Sequence, residues 1–303
     1  MNAATPRALS ATAFATLLLV ALMMGANHVA ARIAFNNGVD VATAVLFRSG
    51  ITAIVIVVLL QLQAVRVTLS GRHRGFLLAI GLLIGLQSLC LYSSVARLPV
   101  ALALLAFNTF PVWTALWAWL IYREPPSRPL LMAMPVILVG LALALDVLGA
   151  TSGLGAGAQW TRIGSGVGFA LAAAALFGLA LVLTQHEAGT VDGRFRTATT
   201  MGIAALVAVA AITLQGGWHL PQASAGWWGL AALTFLYGTA FTIMFTILPR
   251  LGVVGNSAIM NVEPVFALAL AWLILDQVIA PVQIGGALLV VGAVMVLGLR
   301  KRA

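Results

Sequence analysis

The sequence is poor in charge. Only 8% of its 303 residues are Asp, Glu, Lys or Arg, against about a quarter in soluble domains. Seven residues are acidic, and lysine occurs once, at Lys301. That scarcity excludes a soluble domain of ordinary size. It also excludes a paired acid/base site, because only Glu263 of the carboxylates falls clearly within an apolar run and such chemistry needs positioned partners. The lone cysteine, Cys90, excludes a disulfide framework and a thiolate metal centre. No G-x-S-x-G, H-E-x-x-H or P-loop pattern occurs. No enzyme activity, cofactor or metal is expected. The ten-residue alternation of a β-barrel is missing too.

What the chain has is apolar length. It is 62% hydrophobic, and a membrane span needs about 20 apolar residues. Ten spans are expected: 11–34, 41–63, 75–95, 101–122, 130–147, 163–185, 196–214, 226–248, 255–274 and 281–299. The run from Ala11 to Val29 is too long for the core of a signal peptide and reads as a retained first span. The net charge of +9 does not call for nucleic acid, since the basic residues lie between apolar runs without aromatic stacking platforms. The stretch from Asp146 to Arg162, rich in Gly and Ser, reads as a flexible linker between halves 1–150 and 151–303.

Arginine and lysine set the orientation. With the N-terminus inside, Arg7, Arg66, Arg72, Arg74, Arg123, Arg128, Arg194, Arg196, Arg250, Arg300, Lys301 and Arg302 are cytoplasmic. Only Arg32, Arg97 and Arg162 fall on the other side. Both termini are therefore expected in the cytoplasm.

The two halves match at a shift of 153 residues. Gly25 meets Gly178, Gly85 meets Gly238, and Arg97-Leu98 meets Arg250-Leu251. Asn108 meets Asn261, Pro111-Val112 meets Pro264-Val265, and Ala118-Trp119-Leu120-Ile121 meets Ala271-Trp272-Leu273-Ile274. Asn, Pro, Trp and Arg are scarce here, so their joint recurrence argues against chance. Five spans per half give the halves opposite orientation, the inverted-repeat plan of secondary transporters.

The segment LPVALALLAFNTFPVWTALWAWLIYREPPSRPLLMAMPVILVGLAL resembles the signature of the EamA family in the drug/metabolite transporter superfamily. VVGNSAIMNVEPVFALALAWLILDQVIAPVQIGGALLVVG resembles its second copy, and Phe47-Arg48 fits the basic residue often found in the second span. One departure is Asp276-Gln277, where many relatives carry Gly-Glu. Within the family the chain looks similar to the aromatic amino-acid exporters of the YddG type. The resemblance implies an all-α membrane fold of ten helices in two inverted five-helix repeats, placed in a bacterial inner membrane. It implies export of small metabolites by alternating access, with amino acids bearing apolar or aromatic side chains as the expected cargo. The lipid bilayer is the expected surrounding, protons are a candidate coupling partner, and a monomer is the expected functional unit. Drug export is an alternative within the class, and a non-transporting scaffold or receptor subunit is one outside it.

Glu263 is the centre of the candidate site. Taken as one span, the ninth puts Asn256, Met260, Glu263 and Ala267 on one stripe. A carboxylate at that depth costs at least about 2–3 kcal/mol and must face protein or water. It serves as a proton or substrate-ammonium partner, or else it pins the broken helix or pairs permanently with Arg48. Arg48 binds a substrate carboxylate through its planar fork or snorkels to the membrane surface. Met24, Asn27, His28 and Gln87 line the site or bond between helices. Asn108 and Asn261 satisfy backbone freed by Pro111 and Pro264, the two hinges. Phe110, Trp113 and Trp117 share one face of the fourth span, and Tyr237, Phe241 and Phe245 share one of the eighth; Trp113, Tyr237 and Phe241 are candidates for stacking on substrate. Trp119 and Trp272 read as interface-belt residues. Gly25, Gly81, Gly85, Gly178 and Gly238 are expected to permit close helix contacts.

Overall fold

The computed structural model describes residues 11–63, 69–126, 128–246, 262–277 and 279–300. Asn256, Met260, Asn261 and the turn at 250–252 lie outside the described residues. Among those described are eleven helices: α1 (Ala11–Asn36), α2 (Val41–Leu62), α3 (Gly71–Arg97), α4 (Val100–Phe107), α5 (Phe110–Tyr122), α6 (Arg128–Ala144), α7 (Ala156–Glu187), α8 (Gly193–Leu214), α9 (Ser224–Thr246), α10 (Glu263–Leu275) and α11 (Pro281–Arg300). Seven segments are long and apolar enough to cross a membrane: α1, α2, α3, α4 with α5, α7, α8 and α9. α6, α10 and the described part of α11 are shorter apolar helices.

Local chemistry sets the helix ends. Asp40 caps α2 by accepting from the Thr43 amide at 2.9 Å, and Ser70 caps α3 by accepting from His73. The fourth expected span is not one helix. α4 stops at Asn108 and α5 starts at Phe110, with Pro111 in its first turn. Proline is suited to that place because the first turn needs no amide donor. Pro264 likewise stands in the first turn of α10. Pro111 therefore begins a helix rather than bends a continuous one.

Packing runs mainly between the two halves. α3 lies along α7 as α9 lies along α1, α5 along α7 as α10 along α1, and α3 meets α8 as α9 meets α2. α2 faces α8, and α6 faces α11. Two close approaches repeat this relation. A methyl on Gly25 would sit 3.0 Å from the Ala267 nitrogen, and one on Gly178 would sit 2.8 Å from the Thr114 nitrogen. Leu104, Leu105, Ile137, Ala267 and Val290 belong to one buried cluster. Large apolar side chains such as Leu138, Leu206, Phe235 and Trp272 point outward, as a lipid-facing surface requires.

The stretch 146–162 is not a flexible linker. Asp146 takes a left-handed backbone, φ 50°, and its carboxylate accepts from the amides of Thr151 at 3.0 Å and Ser152 at 2.8 Å. Buried Gln159 donates to the Leu145 carbonyl at 3.1 Å. α7 begins at Ala156, seven residues ahead of the expected 163. The Gly and Ser content suggested looseness, whereas an acceptor-rich side chain folds the turn locally.

Polar contacts gather at two ends of the bundle. At one, Arg72 binds Glu187 at 2.6 Å, Tyr122 donates to Glu187 at 2.8 Å, and His186 meets Glu124 at 3.1 Å. Tyr122 and His186 stack with ring centroids 3.9 Å apart. At the other, Arg32 donates to the carbonyls of Val95 and Leu98, and the Gln277 side chain accepts from the Val100 amide at 3.1 Å. Asp40 accepts there from the His219 amide at 3.1 Å.

Candidate functional site

A buried polar cluster joins α1, α2, α3, α9 and α10. Its hub is Tyr92 on α3, fully buried. Its hydroxyl donates to Asn27 Oδ1 at 2.9 Å. Its ring meets His28 edge-on, centroids 5.7 Å apart. The Arg48 guanidinium carbon lies 4.4 Å from the centre of the Tyr92 ring and 4.1 Å from that of Tyr237. Tyr237 continues into Phe241 at 4.4 Å between centroids, and Met24 packs against the same cluster.

Arg48 does not snorkel. Its side chain is 3% exposed, held between two aromatic faces. Each face returns about 2 kcal/mol to a desolvated cation, while desolvating the cation costs several kcal/mol. A counter-ion would close that gap, yet none of the chain's seven carboxylates forms an ion pair with Arg48. All seven are described residues. Five are engaged at the ends of the bundle, Asp40, Glu124, Asp146, Glu187 and Asp192. Asp276 is exposed at the end of α10.

Glu263 pairs with His28 instead, Oε1 to Nε2 at 3.3 Å. The permanent Arg48 pair considered from the sequence is not formed. The carboxylate stands in the first turn of α10, where the helix dipole favours negative charge. It faces protein, and its side chain is 21% exposed. Several buried polar atoms here lack a partner among the described residues: Asn27 Nδ2, His28 Nδ1, Arg48 Nε, Ser49 Oγ and Thr52 Oγ1. Unpaired buried groups are rare and costly, and these five belong to α1 and α2 on either side of Tyr92.

The other candidates lie elsewhere. Gln87 is buried on α3, with its Oε1 3.5 Å from Ser88 Oγ. Asn108 donates to the Leu104 carbonyl at 2.9 Å, so it closes the end of α4 instead of serving the Phe107 carbonyl that Pro111 frees. Trp113 sits on the α5–α7 contact, its Cβ against Gly178. Trp117 donates to the Ala175 carbonyl at 3.0 Å, and Phe110 packs on Phe177. Phe110 and Trp117 on that face thus contact α7. Trp119 and Trp272 are exposed near the ends of α5 and α10. The sequence reading missed Tyr92. Its signal was present: one of three tyrosines in the chain, set deep in an apolar run where a phenol needs a partner.

These features define a multi-pass, all-helical membrane protein with a polar, partly unsatisfied interior. The model of the EamA-like transporter family matches residues 11–145 and 164–299, and the chain belongs to that family, within the drug/metabolite transporter superfamily. An uncharacterized transporter of Synechocystis sp., sll1319, is 30% identical over 87 residues. That match spans 25% of this chain and 26% of the relative. A solved crystal structure aligns over 96% of this chain and 99% of its own at TM-score 0.59 and 18% identity, a likeness of fold.

Proposed function

We propose that the protein is a secondary transporter of the bacterial inner membrane that exports amino acids with apolar or aromatic side chains, in the manner of the YddG-type branch. Ten spans in two inverted halves, 1–150 and 151–303, would rock against each other and expose the central cluster to each side in turn. The exchange of packing partners at a shift of 153 residues supports two related halves. The excess of Arg and Lys in one set of loops supports the orientation with both termini in the cytoplasm, and the loop contacts keep the two sets apart. Arg72, Glu124, Glu187 and Arg194 fall in loops or helix ends assigned to one face, while Arg32, Asp40, His219 and Gln277 fall in those assigned to the other.

The observation that carries the reading is the cluster of Arg48, Tyr92 and Tyr237 beside His28–Glu263. It offers a cation, an aromatic wall and a carboxylate in one buried place. Asn27 and Met24 line it, and Met260 is assigned to it from sequence. Protons are the proposed coupling ion, through Glu263, and the monomer is the proposed unit. The test is solute flux in proteoliposomes holding only this protein, run across the amino acids with and without a pH gradient. Phenylalanine, tryptophan and leucine are expected to move, and lysine and glutamate are not. No movement of any apolar amino acid would sink the proposal.

A further inference from the structure

The two charges of the cluster are in different states. Glu263 has a partner in His28, and Arg48 has none with a negative charge. Among the cluster's buried polar atoms without a partner in the described residues, the hydroxyls of Ser49 and Thr52 can donate or accept, whereas Arg48 Nε and Asn27 Nδ2 are donors only and belong to residues that both touch Tyr92. Both need an acceptor, and neither can serve an ammonium group. An ammonium would meet Glu263 only beside an imidazole already there. From the guanidinium outward, Tyr237 and Phe241 supply an aromatic wall.

We propose that the cluster recognises one carboxylate on an apolar or aromatic body and does not read an amino group. The substrate class is then apolar monocarboxylates, of which amino acids are a subset. This rests on the cluster being the transport site. Arg48 supplies the charge, since its planar fork suits a carboxylate. Asn27 Nδ2 is the second donor. Tyr92 is a positioning residue that holds Asn27 through its hydroxyl and Arg48 against its ring.

The test uses the full chain in proteoliposomes with labelled phenylalanine on one side. The unlabelled competitors are 3-phenylpropionate, which keeps the carboxylate and lacks the amine, and phenethylamine, which does the reverse. Because a charge-assisted bond in a buried site is worth tens of fold in affinity, 3-phenylpropionate is expected within about threefold of phenylalanine and phenethylamine at least about 30-fold weaker. A competitor order with phenethylamine ahead overturns the inference. Uptake of labelled 3-phenylpropionate above protein-free vesicles separates it from the reading it rests on. If 3-phenylpropionate is carried and phenylalanine is not, the amino-acid reading fails and the inference stands. If phenylalanine is carried and 3-phenylpropionate neither competes nor moves, the inference fails and the amino-acid reading stands. If neither moves, both fail. In Glu263→Gln the ratio of the two affinities is expected to stay unchanged, and a selective loss of phenylalanine would place its ammonium on Glu263 and overturn the inference.

Discussion

His28 reaches Glu263 across the contact between α1 and α10, Nε2 to Oε1 at 3.3 Å. Glu263 is the residue through which a coupling proton is proposed to pass. If transport is coupled through that proton, Glu263→Gln abolishes uphill movement of phenylalanine under a pH gradient and spares downhill exchange. Uphill transport at the wild-type rate would remove Glu263 from the coupling.

Gly25 and Gly178 face backbone, which cannot move aside. Overpacking of this kind costs about 1–3 kcal/mol, so Gly25→Ala and Gly178→Ala are expected to lower the unfolding temperature in detergent. Gly168 and Gly202 supply the control: they lie inside α7 and α8, and a methyl there meets nothing within 4 Å. Alanine at either control position gains up to about 1 kcal/mol from helix propensity. Equal losses at all four positions would refute the close-approach argument.

The Asp146 turn predicts a pH dependence. The backbone amide of Thr151 is the leading cause, with Ser152 beside it, of a carboxyl held below its ordinary value of 3.8. A depressed folded value means the stabilisation is present above the unfolded value and lost as pH falls through the folded one. Asparagine tolerates the left-handed backbone and removes the charge. The gap in unfolding temperature between the wild type and Asp146→Asn should be flat from pH 8 to about 5 and close below about pH 4. A gap that widens on acidification would contradict this.

The contacts around Glu187 should be unequal. Arg72 is 73% exposed, so a double-mutant cycle of Arg72→Ala and Glu187→Gln is expected to give at most about 1 kcal/mol of coupling. Tyr122→Phe keeps the stack on His186 and removes one hydrogen bond, at a cost of about 0.5–1.5 kcal/mol. An Arg72 coupling above the Tyr122 cost would reverse that order.

The helices were legible because apolar runs of span length leave few other structures. The break in the fourth span was half legible. Pro111 marks its place, but a proline alone does not say whether a helix bends there or begins. Loop 146–162 was misread because Gly and Ser content outweighed one aspartate that organises the turn. The candidate site was partly legible. Asn27, His28, Arg48, Tyr237, Phe241 and Glu263 were singled out, and they meet through Tyr92. Which of them would pair was not legible, since spacing along the chain does not decide whether Glu263 reaches His28 or Arg48. The Asp276-Gln277 departure also acquires a reason. Asp276 takes the left-handed backbone, φ 52°, that glycine would favour, and Gln277 closes the start of α4 from another helix's end.

The way the helices interleave bears on how the chain is made. α1, α2, α3 and α6 pack chiefly on partners drawn from α7 to α11. A ribosome delivers the early helices to the bilayer before any of those partners exists. Until α9 arrives, Arg48 has only one of its two aromatic faces, because Tyr237 is still to be translated. Biogenesis must therefore shelter a half-covered cation, by insertion machinery or by local water, and a polypeptide halted near residue 150 would be a substrate for membrane proteases.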